Sequence, residues 1–567
     1  MLSDLEIAQR TKMKPIVEIA EELGLKEDEI ELYGKYMAKI SLEVLERLKE
    51  KPSGKFITVT AITPTPLGEG KTVVACGLGQ ALAKIGKRVC NATREPSKGP
   101  TFGIKGGACG GGYSQFLPME NINLHFTGDI HAVDTAHNLL AARIDESLLH
   151  HNPLNIDPHN VTWRYCVDLN SRALRSIVVG LGGRANGYPR ETGYDITVAT
   201  ETMAILALTT GLHDLRKRLG RVVIGYTYDS KPVTAEDLQM AGVMTVLMKD
   251  AIKPNLVQTT ENTPAICHAG PFANVAHGNN SALADMVALK LADYVVTESG
   301  FGADCGFEKI VDVTCRQSGL KLNAAVIVAS IRALKMHGGA FILRPGQKYE
   351  TIKKFAETEN MQALEKGCQN LAKIIQIVKT FGIPAVVAIN RFTSDTSAEI
   401  DLVRKKALEA GADDAVPVNV WAKGGNGGTE LAEAVVAACE KPNNFHFLYP
   451  DDISIEEKIE TIATKIYGAE GVDYAPLANQ RIKLYTNLGY DKLCINMAKT
   501  HLSLSHNPEW KGVPKNYNLA VRDIRASVGA GFLYPLCGVF PTMPGLPSRP
   551  AAVDVDIDEA GNTVGLF

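Results

Sequence analysis

Residues 56–92 read FITVTAITPTPLGEGKTVVACGLGQALAKIGKRVCNA, and they decide the fold. FITVTAI (56–62) is β-branched and apolar, the composition of a short buried strand. A Pro/Gly turn follows. Residues 71–85 then read as a helix stopped by Gly86, and KRVCNA (87–92) as the next strand. Strand, loop, helix, strand is a βαβ unit, which builds parallel sheets through right-handed crossovers. The loop inside it, TPLGEGKT (65–72), ends as a phosphate-binding loop ends, in Gly70, Lys71 and Thr72. Thr65 stands where that motif has its first glycine. The physical need is still met. Gly68 and Gly70 let backbone N–H groups curl around a phosphate, and the next helix offers its positive end. Thr65, Pro66, Leu67, Gly68, Glu69, Gly70, Lys71 and Thr72 are therefore expected to hold a nucleoside triphosphate. Lys71 would reach the outer phosphates, and the Thr72 hydroxyl would ligate magnesium.

The same texture continues outward. SIVVG (176–180), RVVIGYT (221–227), DYVVTE (293–298) and AAVIVAS (324–330) read as further buried strands separated by helical patterns. The expected class is α/β: a P-loop-type, mostly parallel sheet flanked by helices, with two smaller α/β or α+β domains. The large nucleotide-binding domain is placed at 1–365. A second α/β domain, 366–455, holds the strands PAVVAIN (384–390) and AVPVNV (415–420) and the helix between them. A C-terminal α+β domain, 456–567, ends in an apolar/polar alternation around Gly561-Asn562 that predicts a hairpin. At the other end, Ser3 and Glu6 predict a capping box, and residues 28–50 a second helix.

Composition narrows the class. The 567 residues carry 60 Lys and Arg against 63 Asp and Glu, a net charge of −3. That balance argues against a general nucleic-acid binder or a polybasic membrane protein. No apolar run is long enough to span a bilayer, and MLSDLEIAQRTK is too acidic for a signal peptide. Eleven cysteines without a CxxC pair fit a reducing compartment better than a disulfide framework. A cytoplasmic enzyme is the expectation.

The second strand runs into NATREPSKGP (91–100). Ligands of open α/β sheets bind beyond the carboxyl ends of strands, so Arg94 is expected near the γ-phosphate. Its fork suits a carboxylate or phosphate. The plain alternative is a surface arginine paired with an acid. The next segment, GPTFGIKGGACGGGY (99–113), is so glycine-dense that close contact with a ligand or another chain is expected.

Together these segments resemble the formate–tetrahydrofolate ligase family. GIKGGACGGGY (103–113) and VASIRALKMHGG (328–339) resemble its two signatures. TPLGEGKT, REPSKGP, HFTGDIHAV (125–133), SGFGADCGFEKI (299–310), INRF (389–392) and VWAKGGNGG (420–428) resemble other family segments. The length resembles the stand-alone bacterial form. The resemblance implies ATP-dependent ligation of formate to tetrahydrofolate, giving 10-formyltetrahydrofolate, ADP and phosphate through formyl phosphate. It implies MgATP and tetrahydrofolate as substrates, a monovalent cation such as K⁺ or NH₄⁺ as activator, and a homotetramer. It assigns formate and formyl phosphate to Arg94 with Lys71. Asp129, in TGDIHAV, is expected near that intermediate, orienting Arg94 or accepting the amine proton. The alternative for Asp129 is a helix N-cap. Glu95 and Ser97 are the expected oxygen ligands of the monovalent cation.

The resemblance also assigns the pterin to Phe392 and Trp421. Each lies just past the carboxyl end of a strand, and one helix joins the two strands. The ends are then ~4.8 Å or ~10 Å apart, close enough to grip a flat ring. Core plugging is the commoner role of aromatics in general. Thr393 stands where the family more often has proline, which bears on the rigidity of that wall. His125, His131 and His137 recur every six residues, about 600° on a helix, so they share no metal face. Cys109 replaces the family's usual alanine and reads as a small filler. Two other readings remain open here: a P-loop ligase activating another small carboxylate, and a nucleotide-dependent switch or chaperone.

Overall fold

The computed structural model describes residues 2–105, 109–273, 275–343, 347 and 349–566. Its centre is a sheet whose main path has ten strands: β1 (Ile30–Leu32), β2 (Ala38–Ile40), β3 (Lys55–Ala61), β4 (Val89–Thr93), β5 (Asn255–Thr259), β6 (Pro264–Cys267), β7 (Tyr294–Glu298), β8 (Ala324–Ala329), β9 (Ala385–Asn390) and β10 (Asp414–Val418). They lie in the order β1-β2-β5-β6-β4-β7-β3-β8-β9-β10. From β6 to β10 every pairing is parallel, and β1, β2 and β5 add an antiparallel edge.

Both faces of the parallel part are covered. Along β8, Ala325, Ile327 and Ala329 enter one core and Ala324, Val326 and Val328 the other. β9 divides the same way, with Val387 and Ile389 opposite Val386 and Ala388. A strand buried on both faces reads as a continuous apolar run, which is why these segments stand out in the sequence.

Several expectations need correction. Residues 28–50 hold no second long helix. β1 and β2 form a hairpin there, followed by the short helix Glu43–Arg47. Gly34 makes the turn at φ +73°, and pairing of β2 with β5 outweighs local helix preference. SIVVG and RVVIGYT do not join the parallel sheet. Among the described residues Ile177–Val179 pairs only with Arg190–Thr192, and Val223–Thr227 lies between Pro232–Thr234 and Ile156–Val161. An apolar run specifies burial, not a partner. The boundary drawn at 365/366 also falls inside one sheet, because β9 pairs directly with β8. Residues after 456 do form small sheets of their own, and the hairpin Asp556–Ile557/Thr563–Val564 is present. So is the capping box, with the Ser3 N–H donating to Glu6 and the Glu6 N–H to Ser3 Oγ.

The C-terminal residues are pinned to the large unit by a buried charge. Lys499 Nζ donates to Asp304 Oδ2 at 2.6 Å and to the Ser503 carbonyl at 2.6 Å. Both side chains are fully buried. Lys499→Met strands the Asp304 charge and is expected to cost about 3–5 kcal/mol in urea unfolding. An unchanged midpoint would show the pair to be dispensable.

Asp285, in the helix Ala282–Leu291, is equally buried. Asn280 donates to one of its oxygens at 2.8 Å, and the other has no partner among the described residues. Burial pushes its carboxyl up from 3.8 to about 7. The native state therefore binds this proton more tightly than the unfolded chain does. Stability from this group is full below pH 3.8 and is lost as pH rises towards 7. Asp285→Asn should remove that slope. The variant's stability relative to the parent should improve between pH 4 and pH 8, by on the order of a few kcal/mol. A difference that stays constant across this range would show that ionising Asp285 costs nothing.

Candidate active site

A parallel sheet points all its carboxyl ends one way. Along that edge lie, in spatial order, Arg94 after β4, Glu298 ending β7, the phosphate loop after β3, Arg332 after β8, Phe392 after β9 and Trp421 after β10. Adjacent strands are ~4.8 Å apart, so these positions form a continuous row.

The phosphate loop is closed by its own side chains. The Thr65 N–H and hydroxyl both donate to Glu69 Oε1, at 2.8 and 3.0 Å. This clasp occupies the place of the motif's missing first glycine. Gly68 and Gly70 have φ of +71° and +81°, in the left-handed region. A Cβ on Gly70 would stand 2.4 Å from Asn390 Nδ2, which itself donates to the Glu69 carbonyl at 2.9 Å. Helix α1 (Lys71–Lys84) begins at once, with Gly70 as its N-cap. Burial holds the Lys71 amine below the usual lysine range. The Glu298 and Glu69 carboxylates oppose that shift, and Arg94 reinforces it. The Thr72 hydroxyl donates to Glu298 Oε2 at 2.9 Å. These two oxygens suit a hard divalent cation at the head of the helix.

Arg94 is half-buried, and Nη1 donates to the Pro271 carbonyl at 3.3 Å. Among the described residues no carboxylate forms an ion pair with it, so the alternative of a surface arginine paired with an acid does not apply. Glu95 beside it is buried, with Oε2 unpartnered among the described residues. Burial, and then the nearby Asp129 carboxylate, push the Glu95 carboxyl well above its usual range. Ser97 Oγ donates to Asp168 Oδ1, and Lys98 approaches the same carboxylate at 3.4 Å. The orphaned buried Glu95 oxygen fits a cation, whereas Ser97 and Asp168 are engaged with each other and with Lys98.

Asp129 opens helix α2 (Asp129–Leu149), whose N-cap is Gly128. Lys39 Nζ donates to Oδ1 at 2.7 Å and Asn255 Nδ2 to Oδ2 at 2.8 Å, all in a buried setting. Asp129 therefore does not orient Arg94 by direct contact. Its charge is balanced by a lysine from β2, and it reaches the site electrostatically through Glu95.

Phe392 is half-buried, its N–H donating to Asp395 at 2.8 Å. The Arg332 guanidinium lies 3.7 Å from the centre of its ring. Trp421 sits in the single helical turn Val420–Lys423, and its carbonyl accepts from the Tyr113 N–H at 2.8 Å. A Cβ on Gly112, at φ +56°, would lie 2.0 Å from that carbonyl. Part of the glycine-dense segment is thus bare because it packs on Trp421. Gly106, Gly107 and Ala108 of the first signature lie outside the described residues, as do the side chains of Ile104 and Lys105. Cys109 is buried, its thiol pushed up to about 12 by burial, which suits a filler. His137 stacks on Trp163 at 4.1 Å.

The second signature brackets the phosphate loop. Arg332 Nη2 donates to the Leu67 carbonyl at 3.1 Å, and His337 Nε2 lies 2.7 Å from the Thr63 carbonyl. Lys335 pairs with buried Glu399 at 3.0 Å. Sequence reasoning missed Glu298, Arg332, Lys39, Asn390 and Asp168. Glu298 and Asn390 each carried a signal, a polar side chain at the carboxyl end of a buried strand. Lys39 carried none, since its partner is 90 residues away.

The chain matches the formate–tetrahydrofolate ligase family over residues 2–567. It is 64% identical over 565 residues to the formate–tetrahydrofolate ligase of Desulforamulus reducens, covering 100% of this chain and 99% of that protein. It is 57% identical over 566 residues to that of Roseiflexus castenholzii, covering 100% of each. A full-length match at this identity, on a sheet edge that carries the phosphate loop, the guanidinium and the aromatic pair, places the chain in the formate–tetrahydrofolate ligase family.

Proposed function

We propose that this protein joins formate to tetrahydrofolate at the expense of ATP, forming 10-formyltetrahydrofolate, ADP and phosphate. The carrying observation is Arg94, a guanidinium with no carboxylate ion pair among the described residues, on the same edge as Lys71 and electrostatically coupled to it. Formate is a poor acyl donor, because oxide would have to leave. Its oxygen attacks the γ-phosphorus, the bond to ADP breaks, and formyl phosphate results. The N10 amine of tetrahydrofolate then attacks the formyl carbon, phosphate leaves, and the amine loses its proton. Both steps depend mainly on positioning and charge neutralisation.

Arg94 holds formate and then formyl phosphate, and Lys71 spans the transferred phosphoryl group. Residues 65–72 cradle the triphosphate. Thr72 and Glu298 would hold Mg²⁺, which would supply charge neutralisation for phosphoryl transfer. Glu95, with Ser97 and Asp168 beside it, would hold a monovalent cation such as K⁺ or NH₄⁺. Asp129 sets the charge around Glu95 and stays paired with Lys39. Phe392 and Trp421 grip the pterin. The protein works in the cytoplasm as a homotetramer. No helix among the described residues is long and apolar enough to cross a membrane.

A coupled absorbance assay for the formylated folate, with each substrate omitted in turn, tests the whole reading. Product should require ATP, formate and tetrahydrofolate together. ATP turnover that needs neither formate nor tetrahydrofolate would overturn it. Arg94→Ala should abolish turnover while ADP affinity stays within about twofold of the parent. Trp421→Ala should weaken tetrahydrofolate binding by ~1–3 kcal/mol and leave nucleotide affinity alone. Unchanged folate binding would remove Trp421 from the site.

A further inference from the structure

Arg332 touches both halves of the site. Its guanidinium lies 3.7 Å from the centre of the Phe392 ring, while Nη2 donates to the Leu67 carbonyl at 3.1 Å and reaches the Gly68 carbonyl at 3.5 Å. Nε is buried and has no partner among the described residues. The group is therefore held by the phosphate loop on one side and an aromatic face on the other, with the Tyr349 hydroxyl as a third, hydrogen-bonding neighbour. Burial and these neighbours leave it little freedom. Asp395, which accepts from the Phe392 N–H, and Glu69, inside the phosphate loop, are its acidic neighbours. Helix residues around it are anchored independently. Ser330 caps the helix Ile331–His337, Lys335 pairs with Glu399, and His337 meets the Thr63 carbonyl. Arg332 thus projects from a fixed base onto two ligand-facing loops.

We infer that Arg332 is a positioning residue that makes nucleotide and folate binding mutually dependent. A nucleotide in the phosphate loop fixes the Leu67 and Gly68 carbonyls, and these orient the guanidinium. The guanidinium in turn holds the Phe392 ring by a cation–π contact, with its other face left for the pterin. The ring then enters the folate complex already ordered, so the second ligand meets a smaller ordering cost. Linkage makes the effect reciprocal: folate must strengthen nucleotide binding by the same factor. A second tie, from Asn390 to the Glu69 carbonyl, fixes the strand end and not the ring, so it cannot substitute. The inference rests on the proposed folate role of Phe392.

The test measures tetrahydrofolate Kd by titration calorimetry with and without saturating MgADP, and MgADP Kd with and without tetrahydrofolate. The parent should show the same tightening in both directions, about fivefold or more. Arg332→Gln should bring both factors close to one. Arg332→Lys, which keeps the charge and a carbonyl donor, should retain part of the coupling and guards against loss of fold. A purely structural role would weaken each affinity and leave the ratio intact, and that result overturns the inference. So does an uncoupled parent. Phe392→Ala separates the two layers. If it leaves folate Kd unchanged, the folate reading of Phe392 fails and takes the inference with it. If it weakens folate while Arg332→Gln keeps the full ratio, the inference alone fails.

Discussion

Parallel pairing is the constraint on which the rest of this structure depends. Seven neighbouring strands, β6 to β10 along the path, run the same way, so each delivers its next residue to one edge. The crossover helices lie on the two faces and leave that edge open. Residues hundreds apart in sequence, from Arg94 to Trp421, become neighbours by this rule and not by any local preference. The apolar alternation that sends Val326 to one core and Ile327 to the other holds the strands in register. A slip of one residue would invert both cores.

Within that frame the phosphate loop is over-determined. Glu69 folds back on Thr65, Asn390 holds the Glu69 carbonyl, and Arg332 and His337 hold carbonyls before and within the loop. Gly70 is required twice over, by its left-handed backbone and by Asn390 against its α-carbon. Such bracing matters where the chemistry consists of placing charges, because a displaced N–H or guanidinium neutralises less of the developing charge.

Charge is also buried behind the site. Lys39 with Asp129, Lys335 with Glu399 and Lys499 with Asp304 are all nearly or fully removed from water. Each joins elements distant in sequence. A lone member would be costly, so each pair specifies one assembly of its elements. The Lys39–Asp129 pair changes the meaning of Asp129. Taken alone, an acid at a helix start beside a glycine looks either like a cap or like a catalytic base. Its partner from β2 makes it a fixed charge that raises the Glu95 carboxyl.

The amino-acid sequence by itself determined the α/β class, the phosphate loop with its flanking strand and helix, and the strand-end positions of Arg94 and Phe392. These follow from periodicity and from residues whose backbone demands are local. It also carried the family likeness. It did not determine which apolar runs share a sheet. The runs at 177–179 and 223–227 look like those at 294–298 and 324–329, yet only the latter pair enters the parallel array. Nor did it reveal that strands on either side of residue 365 are adjacent. The same limit hid Glu298, Arg332 and Lys39. Their roles arise from partners supplied by other strands, and strand order is a property of the packed chain, decided by long-range contacts that no local window contains.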